Sequence, residues 1–333
     1  MSTAALPGGD RSILERSPLA RLPDRALKYG LTTLAALILA LIVYFFVRLV
    51  GESKPAFAHE GVLGFVFGND WNVSGEEFGA LPLVVGTLIT SGLALLIGVP
   101  VAVATALYAN ELCPLRLRPA LTVLVELLAA VPSVVYGLWG IFFLAPKLQP
   151  AEQWVADRLS FIPFIGGGTV TIPNYFVAGL ILAIMILPIV SAISREVMAT
   201  VPSDQKEAAL GLGATRWEMI RTAVLPYCRA GIVGGAMLGL GRAIGETIAV
   251  TIVIGDAPQL GRHLFGQGYT LAAVIANEFG EAASNPLHRS ALIAAGLVLF
   301  VLTLFVNLIA RFYVLRAERG GRVTRTVAPG MGE

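Results

Sequence analysis

A chain of 333 residues is long enough for two soluble domains, but 56% of its residues are hydrophobic and only 14% are charged, and the hydrophobic residues fall in long blocks. That composition excludes a water-soluble fold and identifies an integral membrane protein. The net charge of +2 sums two unlike faces, and the basic ends call for no nucleic-acid partner.

A hydrocarbon core needs about 20 apolar residues per spanning helix. After a polar N-terminal segment, 1–30, the blocks predict spans over Leu31–Val50, Pro82–Ala109, Pro119–Leu144, Tyr175–Ile193, Ala230–Gly255 and Ser290–Val314. A polar tail, 316–333, follows. A transmembrane β-barrel would show segments of about 10 residues alternating apolar and polar, and the chain has none. The expected architecture is therefore all-α, a membrane unit of six helices over 31–315.

Lys and Arg are retained on the cytoplasmic side. With the N-terminus inside, the inner segments hold seventeen (Arg11, Arg16, Arg21, Arg25, Lys28, Arg116, Arg118, Arg195, Lys206, Arg216, Arg221, Arg229, Arg311, Arg316, Arg319, Arg322 and Arg325) and the outer loops five (Lys54, Lys147, Arg158, Arg262 and Arg289). Both ends are thus predicted to be cytoplasmic. The first span is read as retained rather than cleaved after Ala56-Phe57-Ala58, because its polar lead and apolar core both exceed those of a signal peptide. Cys113 and Cys228 fall on the cytoplasmic side, where thiols stay reduced, and with three histidines in the chain they make no metal site.

The outer connections are uneven. Residues 51–81 form a long acidic loop, Gly166-Gly167-Gly168 marks a turn, and Thr270–Glu278 is an amphipathic stretch expected as a short helix at the outer surface. The inner segment 195–229 carries two helix-start signals, Asp204 with Glu207 and Thr215 with Glu218. Gly211 and Gly213 lie between them as a turn, with Trp217, Ile220 and Val224 expected on one side of the second helix. Two short helices at an angle form a knob for a partner protein. A DNA reader is excluded, since a loop tethered to the membrane at both ends cannot follow a duplex groove.

Glu207-Ala208-Ala209, three residues, Gly213, nine residues, then Ala223-Val224-Leu225-Pro226 resembles the EAA loop of membrane subunits of ATP-binding-cassette importers. Ala223 stands where that family usually has Ile. The strings Gly86-Thr87-Leu88, Val131-Pro132-Ser133-Val134-Val135-Tyr136-Gly137-Leu138-Trp139-Gly140, Gly241-Arg242-Ala243-Ile244-Gly245-Glu246-Thr247-Ile248-Ala249-Val250 and Val274-Ile275-Ala276-Asn277-Glu278-Phe279 resemble the phosphate-specific permeases of the Pst system, the C-type more than the A-type.

This resemblance implies the type I importer permease architecture in a bacterial cytoplasmic (inner) membrane. It implies a second, A-type phosphate permease as heterodimer partner, two ATP-binding subunits, and an extracytoplasmic phosphate-binding protein, all around a lipid-embedded chain. Glu207, Ala208, Ala209, Gly213, Leu225 and Pro226 would then be the ATPase-coupling residues. The chain has no GxxxxGK[ST] phosphate loop, so ATP and Mg belong on the partner ATPase and the subunit is not an enzyme.

Arg242 and Glu246 lie inside the fifth predicted span, where a charge costs about 2.5–3.5 kcal/mol even on lenient scales. Spaced four apart, they are expected to share a helix face and partly neutralise each other. The pair either fixes helix packing or lines a polar path, a guanidinium fork matching phosphate oxygens. The resemblance implies that both take part in phosphate passage. Thr247, Ser133 and Tyr136 are further candidate path residues. Glu126, about two turns inside the third span, is expected to snorkel or pair with a cytoplasmic Arg, and Pro132, Pro100 and Pro188 are expected to interrupt their helices. Within the transporter class the same loop serves permeases for sulfate or molybdate. An ion-driven secondary carrier is the remaining alternative, without the repeats such folds show.

Overall fold

The computed structural model describes Leu22 to Arg322 apart from residues 163, 167 and 262. The predicted polar ends beyond those limits, Gly167 of the glycine turn and the outer Arg262 therefore lie outside the described residues. The chain divides into two units at Gly51. The first contains α1 (Leu22–Glu52), whose described side chains are exposed almost throughout, as those of a lipid-facing span are.

In the second unit, α2 (Lys54–Glu60) and α3 (Val62–Phe67) precede a minimal hairpin, β1 (Trp71–Asn72) with β2 (Glu77–Phe78), antiparallel with Trp71 opposite Phe78. Among the described residues this is the only sheet, so the all-α class holds. There follow α4 (Leu81–Leu107), α5 (Arg118–Ala130), α6 (Ser133–Trp139), α7 (Ala145–Arg158), α8 (Tyr175–Ala199), α9 (Ser203–Gly211), α10 (Arg216–Met219), α11 (Leu225–Gly245), α12 (Ile248–Ile254), α13 (Leu271–Glu278) and α14 (Pro286–Arg322). Five helices among the described residues are long and apolar enough to cross a membrane, or six if a bent pair counts as one span.

Two of the predicted spans are broken, the third as expected and the fifth against expectation. The third bends by 89° between α5 and α6–α7, at Pro132, which has no N–H to give to the turn before it. The fifth begins earlier than predicted, at Leu225, and stops at Gly245. Pro100 and Pro188, by contrast, lie inside the uninterrupted α4 and α8.

Proline leaves a different mark elsewhere. Wide π turns occupy Tyr108–Leu112, Gly140–Leu144 and Ile220–Val224, closed by Cys113, Ala145 and Leu225 N–H groups donating to Tyr108, Gly140 and Ile220 carbonyls. Each lies just before Pro114, Pro146 or Pro226. A proline ring clashes with the carbonyl four residues back and offers it no donor, and a widened turn relieves both problems.

The packing centres on α8, where 61% of the most apolar stretch is buried, against 33% or less in the other candidate spans. In lipid, helices associate through close packing rather than hydrophobic burial, and small residues make that possible here. A Cβ on Gly231, Gly235 or Gly239 of α11 would meet Val197, Ile193 or Val190 of α8 within 3.2 Å. On α4, a Cβ at Gly86 would fall 2.0 Å from the Tyr269 carbonyl oxygen.

That contact explains a further departure from expectation. The amphipathic stretch does form α13, capped by Thr270 Oγ1 accepting from Ala273 N–H at 3.2 Å. However, Leu271, Ala272, Ala273 and Val274 are buried, because the segment packs against α4, α12 and α14 instead of lying at the surface.

A polar cluster ties these elements together. Glu278 Oε2 accepts from Trp71 Nε1 at 3.0 Å and meets His288 Nε2 at 2.9 Å, and Asn277 Nδ2 donates to the Tyr269 hydroxyl at 3.0 Å. Asp256 sits beside this cluster with Oδ1 buried and without a hydrogen-bond partner. Burial first, and then the Glu278 charge, push its carboxyl up to about 6.

The folded chain thus binds a proton there that the unfolded chain holds only below the ordinary carboxylate range. Stability is lost as pH rises through about 4 to 6, and the charged form is a liability above. Asp256→Asn removes the charge and suits the left-handed backbone at φ 52. It is expected to raise the melting temperature in detergent at pH 7.5 and to change little at pH 4.5. An equal shift at both values would contradict the charge argument.

Candidate functional site

The two helix breaks face each other. The short helices that resume after them, α6 and α12, pack side by side, and the contact depends on Gly137, where a Cβ would lie 3.2 Å from Ala249 Cα and 2.8 Å from Ile252 Cδ1. Pro132 leaves the Leu128 carbonyl without its helical donor. The Tyr136 hydroxyl supplies one, donating to Leu128 O at 2.7 Å. Tyr136 therefore holds the break in shape and is not a free path-lining hydroxyl, although its oxygen can still accept. Ser133 opens α6 half-buried.

On the facing break, Arg242 occupies the last turn of α11. At about 1.5 Å per residue, an upright helix entering the bilayer at Leu225 carries it about 26 Å inward, within the roughly 30 Å hydrocarbon core but beyond the middle position expected. Its side chain is exposed, and its guanidinium is near enough to the Tyr136 hydroxyl to act on it electrostatically.

The expected Arg242–Glu246 pairing is absent among the described residues. Glu246 leaves the helix in an extended conformation, φ −71° and ψ 129°, so the four-residue spacing no longer sets the two side chains on one face. Its Oε1 instead accepts from Ala249 N–H at a long 3.5 Å, turning the carboxylate toward the start of α12. Thr247, half-buried, connects the two helices, and its carbonyl accepts from the Thr251 hydroxyl at 3.0 Å.

A cavity of 610 Å³ opens among loops between Asn69, Asp70, Gln259, His263 and Gln267. Its described lining carries Asp70 and His263.

The second site is the knob. The Schellman geometry that ends α9 accounts for the spacing of the EAA pattern: Gly213 N–H donates to Leu210 O at 2.9 Å and Ala214 N–H to Ala209 O at 3.2 Å, with Gly213 at φ +87°. Only a residue free of a Cβ penalty takes that position without strain. Thr215 and Glu218 then form the expected capping box, Thr215 N–H to Glu218 Oε2 at 2.7 Å and Glu218 N–H to Thr215 Oγ1 at 3.3 Å. Asp204 forms no cap. The helix starts one residue before it, after Pro202, and Asp204 lies in the first turn.

Beneath the knob is a small core separate from the main one. Ala106 of α4, Met198 of α8, and Met219, Ile220, Val224 and Cys228 seal it, with Ala209 packed alongside. This sorts the EAA residues: Ala209 faces inward, while Glu207 and Ala208 face out. Leu225 and Pro226 form the joint by which the knob enters α11. Trp217 was expected beside Ile220 and Val224, but it is 63% exposed, and Leu212 is 90% exposed. Two large apolar side chains standing out of a polar knob mark a surface made to be covered.

Sequence reasoning missed one link here and anticipated another. Lys206 Nζ lies 2.6 Å from Glu111 Oε1. Arg195 donates to Thr122 Oγ1 and lies 3.5 Å from Glu126 Oε1, so Glu126 has an Arg partner, as expected. Glu111 carried no signal, because it sits in a short polar corner between spans.

Helices long and apolar enough to cross a membrane, with paired helix breaks and a two-helix knob, define a membrane permease. The same fold is seen in a solved bacterial ABC transporter involved in import of the acidic polysaccharide alginate, one chain of which aligns with TM-score 0.56 and 21% identity over 89% of this chain and 99% of its own. The chain belongs to the family described as binding-protein-dependent transport system inner membrane component, whose model matches residues 98–319. Curated relatives include the phosphate transport system permease protein PstC of Mesorhizobium japonicum, 44% identical over 86% of this chain and 89% of its own. That of Pasteurella multocida is 44% identical with the same coverage, and PstC 2 of Mycobacterium tuberculosis is 42% identical over 88% and 89%.

Proposed function

We propose that the chain is the C-type membrane subunit of an ATP-driven importer of inorganic phosphate, forming half of the path with an A-type permease and receiving phosphate from an extracytoplasmic binding protein. The observation that carries this reading is the juxtaposition of the two helix breaks, Arg242 in the last turn before one and Ser133 opening the helix after the other, in a chain similar to permeases named for phosphate transport. Arg242 offers a planar fork to phosphate oxygens. Glu246 and Thr247, one turn on, temper that field so the anion is held weakly enough to leave. Ser133 lines the opposite break.

The subunit binds no nucleotide itself. ATP binding by two partner subunits draws the knob with them, and the knob in turn moves the cytoplasmic ends of α4, α8 and α11 that it meets. The excess of basic residues on the knob side supports a cytoplasmic knob and cytoplasmic chain ends. Retention of the ATPase by the knob, which requires that orientation, tests it.

Transport is tested in proteoliposomes holding the assembled complex. Labelled phosphate is expected to accumulate with ATP inside the cytoplasmic compartment and the binding protein outside, and excess sulfate or molybdate should compete less than about ten-fold excess phosphate does. Equal competition by either oxyanion would favour the broader reading and sink phosphate specificity.

A further inference from the structure

At the edge of the small core, Lys206 and Glu111 meet at 2.6 Å with side chains only 22% and 8% exposed. Exposed pairs contribute little, but this one is shielded, and Asn110 Nδ2 donates to the same Glu111 oxygen at 2.9 Å. Glu111 belongs to the π turn that closes the cytoplasmic end of α4. That turn is stiffened by Arg118, which donates to the carbonyl of Asn110 and, at 3.3 Å, to that of Cys113. Lys206 lies directly before Glu207 on α9. Among the described residues, no other side-chain hydrogen bond or ion pair joins α9 to another element.

The remaining attachment of α9 is apolar, through Ala209, and small apolar contacts slide where a charged hydrogen bond resists both stretch and rotation. From its anchored end α4 runs against α8 and α11, the latter carrying Arg242.

We propose that Lys206 and Glu111 are the strut by which displacement of the knob is carried into α4. They are positioning residues for transport and do not touch the substrate. The inference rests on the importer reading above.

The test uses the assembled complex with its ATPase and binding protein, measuring phosphate moved per ATP hydrolysed. Glu111→Gln and Lys206→Met are each expected to keep the ATPase bound and hydrolysing while lowering that ratio about five-fold or more. Lys206→Arg, and the exchange Glu111→Lys with Lys206→Glu, should return it to within about two-fold of the unchanged protein. An unaltered ratio in the single variants, loss of the ATPase from them, or recovery in neither rescue would overturn the strut. Failure of the unchanged complex to couple hydrolysis to phosphate would overturn the importer reading itself, a result separable because it affects every variant alike.

Discussion

Arg242→Gln is expected to lower phosphate uptake about a hundred-fold or more while the complex still assembles. The loss follows from removing a charged fork that makes two hydrogen bonds to an anion, each worth about 1.5–3 kcal/mol. Assembly should survive because Arg242 is exposed on this chain, and among the described residues no hydrogen bond or ion pair makes it part of the packing. Arg242→Lys keeps the charge but not the fork, so uptake should fall by a smaller factor, about ten-fold.

The broken helix changes what the double variant means. Had Arg242 and Glu246 been a helix-packing pair, neutralising one would strand the other, and Arg242→Gln with Glu246→Gln would restore function. With Glu246 turned toward Ala249 instead, the double variant should transport as poorly as Arg242→Gln alone. Recovered uptake in that protein, read beside ATPase co-purification, would remove Arg242 from the path.

The six spans and the knob were legible because membrane burial and helix capping are local demands. Length, apolarity, the Thr215–Glu218 box and the Gly213 turn all act within a few residues. The break at Pro132 was legible for the same reason. The break at Gly245–Thr247 was not, because it holds no proline, and glycines at four-residue spacing read equally as a close-packing stripe. Gly231, Gly235 and Gly239 do pack in that way against α8, while Gly241 and Gly245 face open space. Sequence spacing also placed Arg242 and Glu246 on one face by assuming an unbroken helix. The contacts of Tyr136 and Lys206 escaped interpretation because their partners, a carbonyl freed by proline and a carboxylate in another corner, are set by the tertiary fold. The burial of α13 is likewise tertiary, since the approach of α4, α12 and α14 covers it.

Glu207→Lys and Gly213→Val separate the chemistry of the knob from its shape. Glu207 is exposed, and no hydrogen bond or ion pair holds it among the described residues, so reversing its charge should change stability by no more than about 0.5 kcal/mol. An ATPase groove complementary to that carboxylate would instead meet a like charge, and the expected result is ATPase missing from the purified complex and uptake at background. Gly213→Val acts through the backbone alone. A Cβ there meets nothing within 4 Å, yet a β-branched residue at φ +87° costs about 1–2 kcal/mol or more, which is enough to unwind the Schellman turn and swing Leu212 and Trp217 out of register. Gly213→Asn supplies the control, since Asn accepts the left-handed conformation and should keep both the ATPase and uptake. If Glu207→Lys and Gly213→Val both retain the ATPase and transport normally, the knob is not the coupling surface. If Gly213→Asn fails as badly as Gly213→Val, the turn conformation is not what the glycine provides.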